Sequence, residues 1–250
     1  MAKLVPQILH FESLPSTNEE AAKRAVAGAP EGLCVVAAEQ TAGRGRLQRT
    51  WVSPKNAGLY CSTLFRPGFA QDTWPLLTLV AAISVNDALL NACALPTDIK
   101  WPNDILVNDK KLCGILAETV ETPTGRALVM GIGINLTKES VPLELSQTAT
   151  SVEQVQGRTC DANTVLQALL TTLFNKYETL QQTHGAKTIV SDWCSRSSYS
   201  EGRPVQVVET SESFTGITRG LERDGALRVE TPTGEIRVVR AGDVTHVRPG

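Results

Sequence analysis

The chain has 250 residues, with 24 Lys and Arg against 26 Asp and Glu and a formal net charge of −2. That length can bury a full core as one large domain or as one domain with a small appendage, and the balanced charge excludes a global basic field for nucleic acid or anionic membrane. Six cysteines form no CxxC pair, which argues against a zinc site and a dense disulfide framework and fits a reducing, cytoplasmic setting.

The first residues, MAKLVPQILHFESL, make a poor signal peptide because Pro6, Gln7, His10 and Glu12 break the apolar stretch. Ser16 or Thr17, with Glu19 or Glu20 three residues on, predicts the start of a helix that Gly28 and Pro30 stop. Leu33 to Glu39 and Leu59 to Arg66 read as strands that flank a basic loop. The apolar run from Trp74 to Leu90 carries Pro75, Thr78, Ser84, Asn86 and Asp87, so it is expected to be a core helix and not a membrane span. Short strands are expected around Asp98 to Trp101 and Ile105 to Val107, then long ones from Lys111 to Glu121 and Arg126 to Leu136, turning at Thr124-Gly125. Asp161 is placed to cap a long helix with Val165, Leu166, Leu169, Leu170, Leu173, Phe174 and Tyr177 on one face, ended by His184-Gly185. A shorter helix from Ile189 to about Ser195 follows, with Trp193 on its core face. Beyond Gly202 only β-runs remain, broken at Asp224-Gly225 and Thr233-Gly234, which sets a boundary near residue 201. The expected fold is α+β: a mixed β-sheet domain with helices over residues 1–201 and a small β-barrel over 202–250.

Residues 40–71 hold five cations (Arg44, Arg46, Arg49, Lys55 and Arg66) and no acidic residue. Gly43 and Gly45 alternate with Arg44 and Arg46, so backbone can approach a ligand closely while guanidinium forks reach the same space. The pattern suits a phosphate or carboxylate clamp. Taken alone, RGR equally describes a solvated loop, and Lys100-Trp101-Pro102-Asn103-Asp104 a proline-directed turn with a surface lysine.

Taken in order, GRGRxxRxW, KWPND, KLCGILAE (Lys111 to Glu118) and GIGIN (Gly131 to Asn135) resemble the biotin protein ligases. The resemblance spans nearly the whole chain, since Ser16-Thr17-Asn18 matches an early family motif and the segment beginning Gly202-Arg203-Pro204-Val205 looks like the family's SH3-like C-terminal barrel. It implies an ATP-dependent ligase that makes biotinyl-5′-AMP and pyrophosphate, then passes biotin to a lysine of a biotin carboxyl carrier protein domain. Biotin and ATP are the implied small molecules, Mg²⁺ is implied by the triphosphate, and no protein metal cage is visible.

Residue by residue, the resemblance assigns Lys100 and Arg46 to catalysis. Joining a carboxylate to an α-phosphate brings two anions together, and the compact ammonium of Lys100 suits the place between them. Ser16, Thr17, Asn18 and Gln40 would bond the polar end of biotin, with Gly43, Arg44, Gly45 and Arg46 in the loop above it. Gly114, Gly131 and Gly133 would leave bare strand where the ring and tail lie. Arg46, Arg49, Trp51, Lys111, Asn135 and Arg248 would face the nucleotide. Plainer roles are open for several: a helix cap for Ser16 and Thr17, a solvated edge for Lys111, a surface site for Arg248. Cys113 is read as a small core residue, and His10, His184 and His246 show no ligand spacing.

The loop carries Gln48 where many relatives have glycine, and the position after GIGIN that in some relatives carries an aromatic stacking on adenine falls here in Thr148-Ala149-Thr150. With 15 residues before Ser16, no winged helix-turn-helix and hence no DNA binding is expected. A homodimer on an exposed strand edge is left open. The rival functions are a lipoate or octanoate transferase of the same superfamily and a non-catalytic biotin or nucleotide sensor.

Overall fold

The computed structural model describes residues 4–209 and 212–246. Its elements run β1 (Gln7–Phe11), α1 (Thr17–Val26), β2 (Leu33–Ala37), β3 (Gly58–Phe65), α2 (Leu76–Cys93), β4 (Asp98–Lys100), β5 (Asp104–Val107), β6 (Lys110–Thr122), β7 (Gly125–Asn135), α3 (Val152–Gln156), α4 (Ala162–Leu180) and α5 (Gly185–Ser195). The remaining strands are β8 (Glu201–Val208), β9 (Ser213–Leu221), β10 (Leu227–Glu230), β11 (Ile236–Val239) and β12 (Asp243–His246).

Seven strands form one sheet in the order β1-β2-β3-β7-β6-β5-β4. Only β1 and β2 pair in parallel, so the sheet is mixed. Strand side chains alternate between faces, and this alternation divides β7 sharply. Leu128, Met130, Ile132 and Ile134 enter the main core under α2 and α4, whereas Ala127 and Val129 pack with Ala21 and Ala25 of α1 on the opposite face. Gly131, Gly133 and Asn135 continue that second face past the N-terminal start of α1 and floor a cavity. α2 is buried on nearly all sides, which explains its uniformly apolar sequence. Each of its fully buried large aliphatic side chains contributes about 1.5–3 kcal/mol.

The last five strands form an antiparallel sheet, β11-β10-β9-β8-β12, of SH3-like type. Its β9–β10 turn plugs into the first sheet: the buried indole of Trp101 donates to the Gly225 carbonyl over 3.0 Å, and Gly225 sits against Leu76 and Leu79 of α2. β4 ends the first sheet, and its outer side is covered by the segment before β8. There Ser197 Oγ donates to the Ile99 carbonyl at 2.5 Å, and the Ser198 amide and hydroxyl donate to Asp98 at 2.8 and 2.6 Å.

One strand was not foreseen and one expectation needs correction. Residues 7–11 form a strand, because their half-buried side chains pair with β2. Gly185 opens α5 and does not end α4, which stops at Leu180. A Cβ at Gly185 would lie 2.2 Å from the Thr179 carbonyl, so that glycine permits a tight helix-to-helix corner.

Candidate active site

A cavity of about 620 Å³ lies over the glycine floor of β6 and β7. The start of α1, the basic loop, the turn after β4 and residues 140–149 surround it. Ser16, Thr17, Asn18, Gln40, Arg44, Gly45, Arg46, Arg49, Trp51, Lys100, Lys111, Gly114, Gly131, Gly133 and Asn135 all line it. Gly43 does not; Arg248 lies outside the described residues.

At one end a polar chain is drawn tight. Ser16 occupies the N-cap of α1, yet its side chain makes no capping bond and is left facing the cavity, 3 % exposed. The expected side-chain cap is therefore absent. The Thr17 amide and hydroxyl donate to Gln40 Oε1 at 2.8 and 3.0 Å, while Gln40 Nε2 donates to Ser53 at 2.9 Å. Ser62 on β3, unnoticed in the sequence because it is one Ser in an apolar strand, donates toward Thr17 Oγ1 at 2.7 Å and Asn18 Oδ1 at 2.6 Å. Asn18 Nδ2 then donates to Glu118 Oε2 at 2.7 Å, the same oxygen that Arg44 grips at 2.8 Å. Glu118 thus connects the polar end of the cavity to the loop above it.

The bare strand at the glycines also admits the protein's own side chains. A Cβ on Gly131 would stand 2.2 Å from Asn18 Oδ1, and one on Gly133 would stand 2.4 Å from Trp51 Nε1. These glycines make room for the protein's own Asn18 and Trp51 side chains. Gly114 does the same more loosely, its Cβ falling 3.1 Å from the Trp51 ring. The Trp51 indole lies between Gly133 and the ammonium of Lys111, 5.4 Å from its ring centre, and its buried N–H has no partner among the described residues. Gly43 serves the loop itself, since a Cβ there would meet the Trp51 carbonyl at 2.3 Å.

The loop is held at both ends of its arginine series. Arg46 donates to Asn103 Oδ1 at 3.2 Å and the Gly242 carbonyl at 3.2 Å, and faces Asp243 at 3.5 Å. Arg49 pairs with the other Asp243 oxygen. The left-handed residues of the tip are Leu47, φ 54°, and Gln48, φ 59°, and not the glycines. A non-glycine residue pays roughly 1–2 kcal/mol for that conformation, so the glycine that Gln48 replaces has a physical rationale.

Lys100 and Lys111 converge on one carboxylate. Asp104 Oδ1 is 2.7 Å from Lys111 Nζ and its Oδ2 is 3.8 Å from Lys100 Nζ. Both ammoniums therefore face the cavity, and Lys111 is not a solvated edge residue. Asn135 Nδ2 donates to the Thr150 carbonyl at 3.1 Å and so secures the segment that closes this end. That segment docks on the start of β6 through Lys111 N to Thr148 O, 2.8 Å, and Thr150 N to Lys111 O, 2.9 Å. Cys113 points to the opposite face of the sheet, fully buried, and burial pushes its thiol pKa well up. Asp104, Glu118 and Asp243 were the partners missed from sequence. The first two stand inside the KWPND and KLCGILAE motifs, and Asp243 lies in GDVTHVRP, where only Arg248 drew notice.

The site can hold an apolar ligand with a polar head at the Thr17–Asn18 end and an anion among Arg44, Arg46, Arg49, Lys100 and Lys111. No three His, Cys, Asp or Glu side chains among the described residues form a metal cage.

Comparison with known proteins agrees with this chemistry. The family model for the biotin/lipoate A/B protein ligase family matches residues 10–135, and that for the biotin protein ligase C terminal domain matches residues 202–247. The biotin–[acetyl-CoA-carboxylase] ligase of Paracoccus denitrificans is 36 % identical over 236 residues, covering 92 % of this chain and 96 % of that protein. The bifunctional ligase/repressor BirA of Bacillus subtilis is 37 % identical over 240 residues, covering 95 % of this chain and 73 % of its own. Among solved structures, the biotin protein ligase from Aquifex aeolicus in complex with biotin and ATP superposes with a TM-score of 0.85 at 28 % identity, covering 98 % of this chain and all of the other. The chain belongs to the biotin/lipoate A/B protein ligase family, and within it to the biotin protein ligases.

Proposed function

We propose that this enzyme activates biotin with ATP and transfers it to a lysine of a biotin carboxyl carrier domain. The observation that carries the reading is a cavity that Arg46, Arg49, Lys100 and Lys111 line together with an uncharged cluster of Ser16, Thr17, Asn18 and Gln40, while Arg44 is paired with Glu118 beside Asn18. A neutral, polar ureido group suits the Ser16, Thr17, Asn18 and Gln40 end, and a carboxylate beside a triphosphate suits the cationic end.

In the first step a biotin carboxylate oxygen attacks the α-phosphorus. The bond to the β-phosphate bridging oxygen breaks and pyrophosphate leaves with the electron pair. Lys100 sits at the mouth of β4 with its ammonium 3.8 Å from Asp104, a spacing that an entering phosphate oxygen can replace. It then neutralises charge that accumulates as the two anions meet, an effect that grows toward the transition state. Arg46 and Arg49 offer planar forks to phosphate oxygens, and Lys111 and Asn135 hold the nucleotide end. In the second step the carrier amine attacks the acyl carbon, the bond to the phosphate oxygen breaks, and AMP leaves. Mg²⁺ would arrive with the nucleotide as part of the substrate, held chiefly by triphosphate oxygens and water. We read residues 1–201 as the catalytic unit and 202–250 as its C-terminal module, acting in the cytoplasm, where the described cysteines, all free, stay reduced.

The test is biotin-dependent exchange of labelled pyrophosphate into ATP, followed by transfer to a carrier domain, with lipoate and octanoate in parallel. Exchange with biotin alone is expected. Exchange supported by lipoate overturns the substrate assignment, and binding of biotin without exchange overturns the catalytic one.

A further inference from the structure

Glu118 stands behind the polar end of the cavity and does not itself line it. It follows Gly114 and Leu116 on one face of β6 by the alternation of a strand. Its Oε2 accepts two bonds, from Asn18 Nδ2 at 2.7 Å and from Arg44 Nη2 at 2.8 Å. Asn18 is 4 % exposed, and the nitrogen of its amide is fully engaged, since it donates to Glu118 and to the Leu116 carbonyl at 3.2 Å and so uses both N–H groups. Its oxygen accepts from Ser62 at 2.6 Å and rests over Gly131, with a second acceptor position left. A half-turn of the amide would set that oxygen against the Leu116 carbonyl and the Glu118 carboxylate, three acceptors with no hydrogen among them. Burial makes such a mismatch costly.

From this arrangement we propose that Glu118 is a positioning residue for ligand recognition: it holds the Asn18 amide with its oxygen toward the cavity, so that the polar end of the site reads an N–H donor, and it tethers Arg44 beside that end. The inference rests on the ligase reading of the main site, in which the ureido group supplies the N–H. A carboxylate suits the task because it only accepts, whereas a glutamine in its place could also donate and would admit either orientation of the Asn18 amide. Arg44 answers the charge of Glu118, so the polar end meets its ligand without a net anion. The two contacts differ in their surroundings. Asn18 is interior, whereas the Arg44 and Glu118 side chains are 49 % and 32 % exposed and their attraction is screened by water. Loop motion can therefore release Arg44 while Asn18 stays held.

The test exchanges the two side-chain types. Glu118→Gln keeps the shape and is expected to weaken biotin binding, read by titration calorimetry, by about 10-fold, the loss of a charge-assisted hydrogen bond. The maximal rate of pyrophosphate exchange at saturating biotin should stay within about threefold of the parent, because the contact serves binding and not the reacting atoms. Asn18→Asp sets two carboxylates face to face and should weaken binding further. Joining the two substitutions restores one amide and one carboxylate, with the bond between them reversed and an acceptor still turned to the cavity. The double variant should therefore bind biotin more tightly than Asn18→Asp alone. A residue that merely supported the fold would give additive losses and no rescue. Should Glu118→Gln not fold, Glu118→Ala, at a partly exposed side chain, carries the same expectation for affinity and rate, and in an Asn18→Ala background it should cost no further affinity. Parent affinity in the Glu118 variant, absence of rescue or of that non-additivity, or a fall in maximal rate with KM unchanged overturns the proposal. Parent protein that binds no biotin would instead sink the ligase reading.

Discussion

The floor of the active site and the loop above it are built by opposite means. The floor is ladder: β3, β7 and β6 pair without interruption through Ser62, Gly131 and Leu116, and glycines on it leave room for Asn18 and Trp51. The loop is charge. Its arginines are parked on Glu118, Asn103 and Asp243, groups that an arriving anion can displace, and its tip contains two residues in a left-handed conformation. On the proposed function, shape selectivity would reside in the fixed floor, and capture in loop contacts that are few and partly exposed.

Substitutions on the two sides should fail differently. Lys100→Ala, on the fixed side, should lower the rate of pyrophosphate exchange by ~10²–10³ with melting temperature unchanged, because a preorganised charge is removed from the transition state. Exchange near the parent rate would mean that Lys100 is not the bridging cation. Arg46→Gly, on the movable side, should shorten adenylate residence by about 10–100-fold, the loss expected for charged hydrogen bonds. A chase with unlabelled ligand reads this directly, and biotin on bystander lysines of an unrelated protein is its visible result. Unchanged residence would move the lid role to Arg44 or Arg49.

Gly131→Ala tests whether the floor truly has no slack. Its Cβ would fall 2.2 Å from Asn18 Oδ1, and overpacking of that kind costs about 1–3 kcal/mol. Titration calorimetry should register weaker biotin binding with little change in the maximal rate of exchange; parent-like affinity would show that Asn18 can turn away freely. The smallest effect belongs to Gln48→Gly. Relief of a left-handed non-glycine residue returns at most about 1–2 kcal/mol to the closed loop, offset in part by a freer unfolded chain. Adenylate dissociation should slow a few-fold on the order set by that energy, and faster dissociation would contradict the strain argument.

Much of this contrast was readable in the chain itself. A long apolar run marked α2, helical spacing marked α4, and the turn at Thr124-Gly125 set off β6 and β7. The cations of the site stood in motifs, so their convergence could be expected. Their carboxylate partners could not, because Arg44 meets Glu118 across 74 positions and Arg49 meets Asp243 across 194, and no local pattern encodes such pairs. β1 escaped notice because it is short and half-buried, its pairing with β2 visible only in three dimensions. The glycines were noticed for close approach, and the structure adds Asn18 and Trp51 as side chains that come up against Gly131 and Gly133. Gln48 was flagged as a departure, and its positive φ supplies the meaning.

Trp101 follows directly after Lys100, yet its indole is spent on the Gly225 carbonyl of the second sheet, while Ser197 and Ser198 close the outer side of β4. The strand that carries the lysine is thus tied on one side to the β9–β10 turn and on the other to the segment leading into β8, and both sheets share one set of buried apolar residues that includes Leu76, Val229 and Val244. Heat or denaturant acting on such a molecule has no weak joint at which to divide it. Unfolding should proceed as one cooperative event, in which the stability of the last five strands and the alignment of Lys100 are gained and lost together.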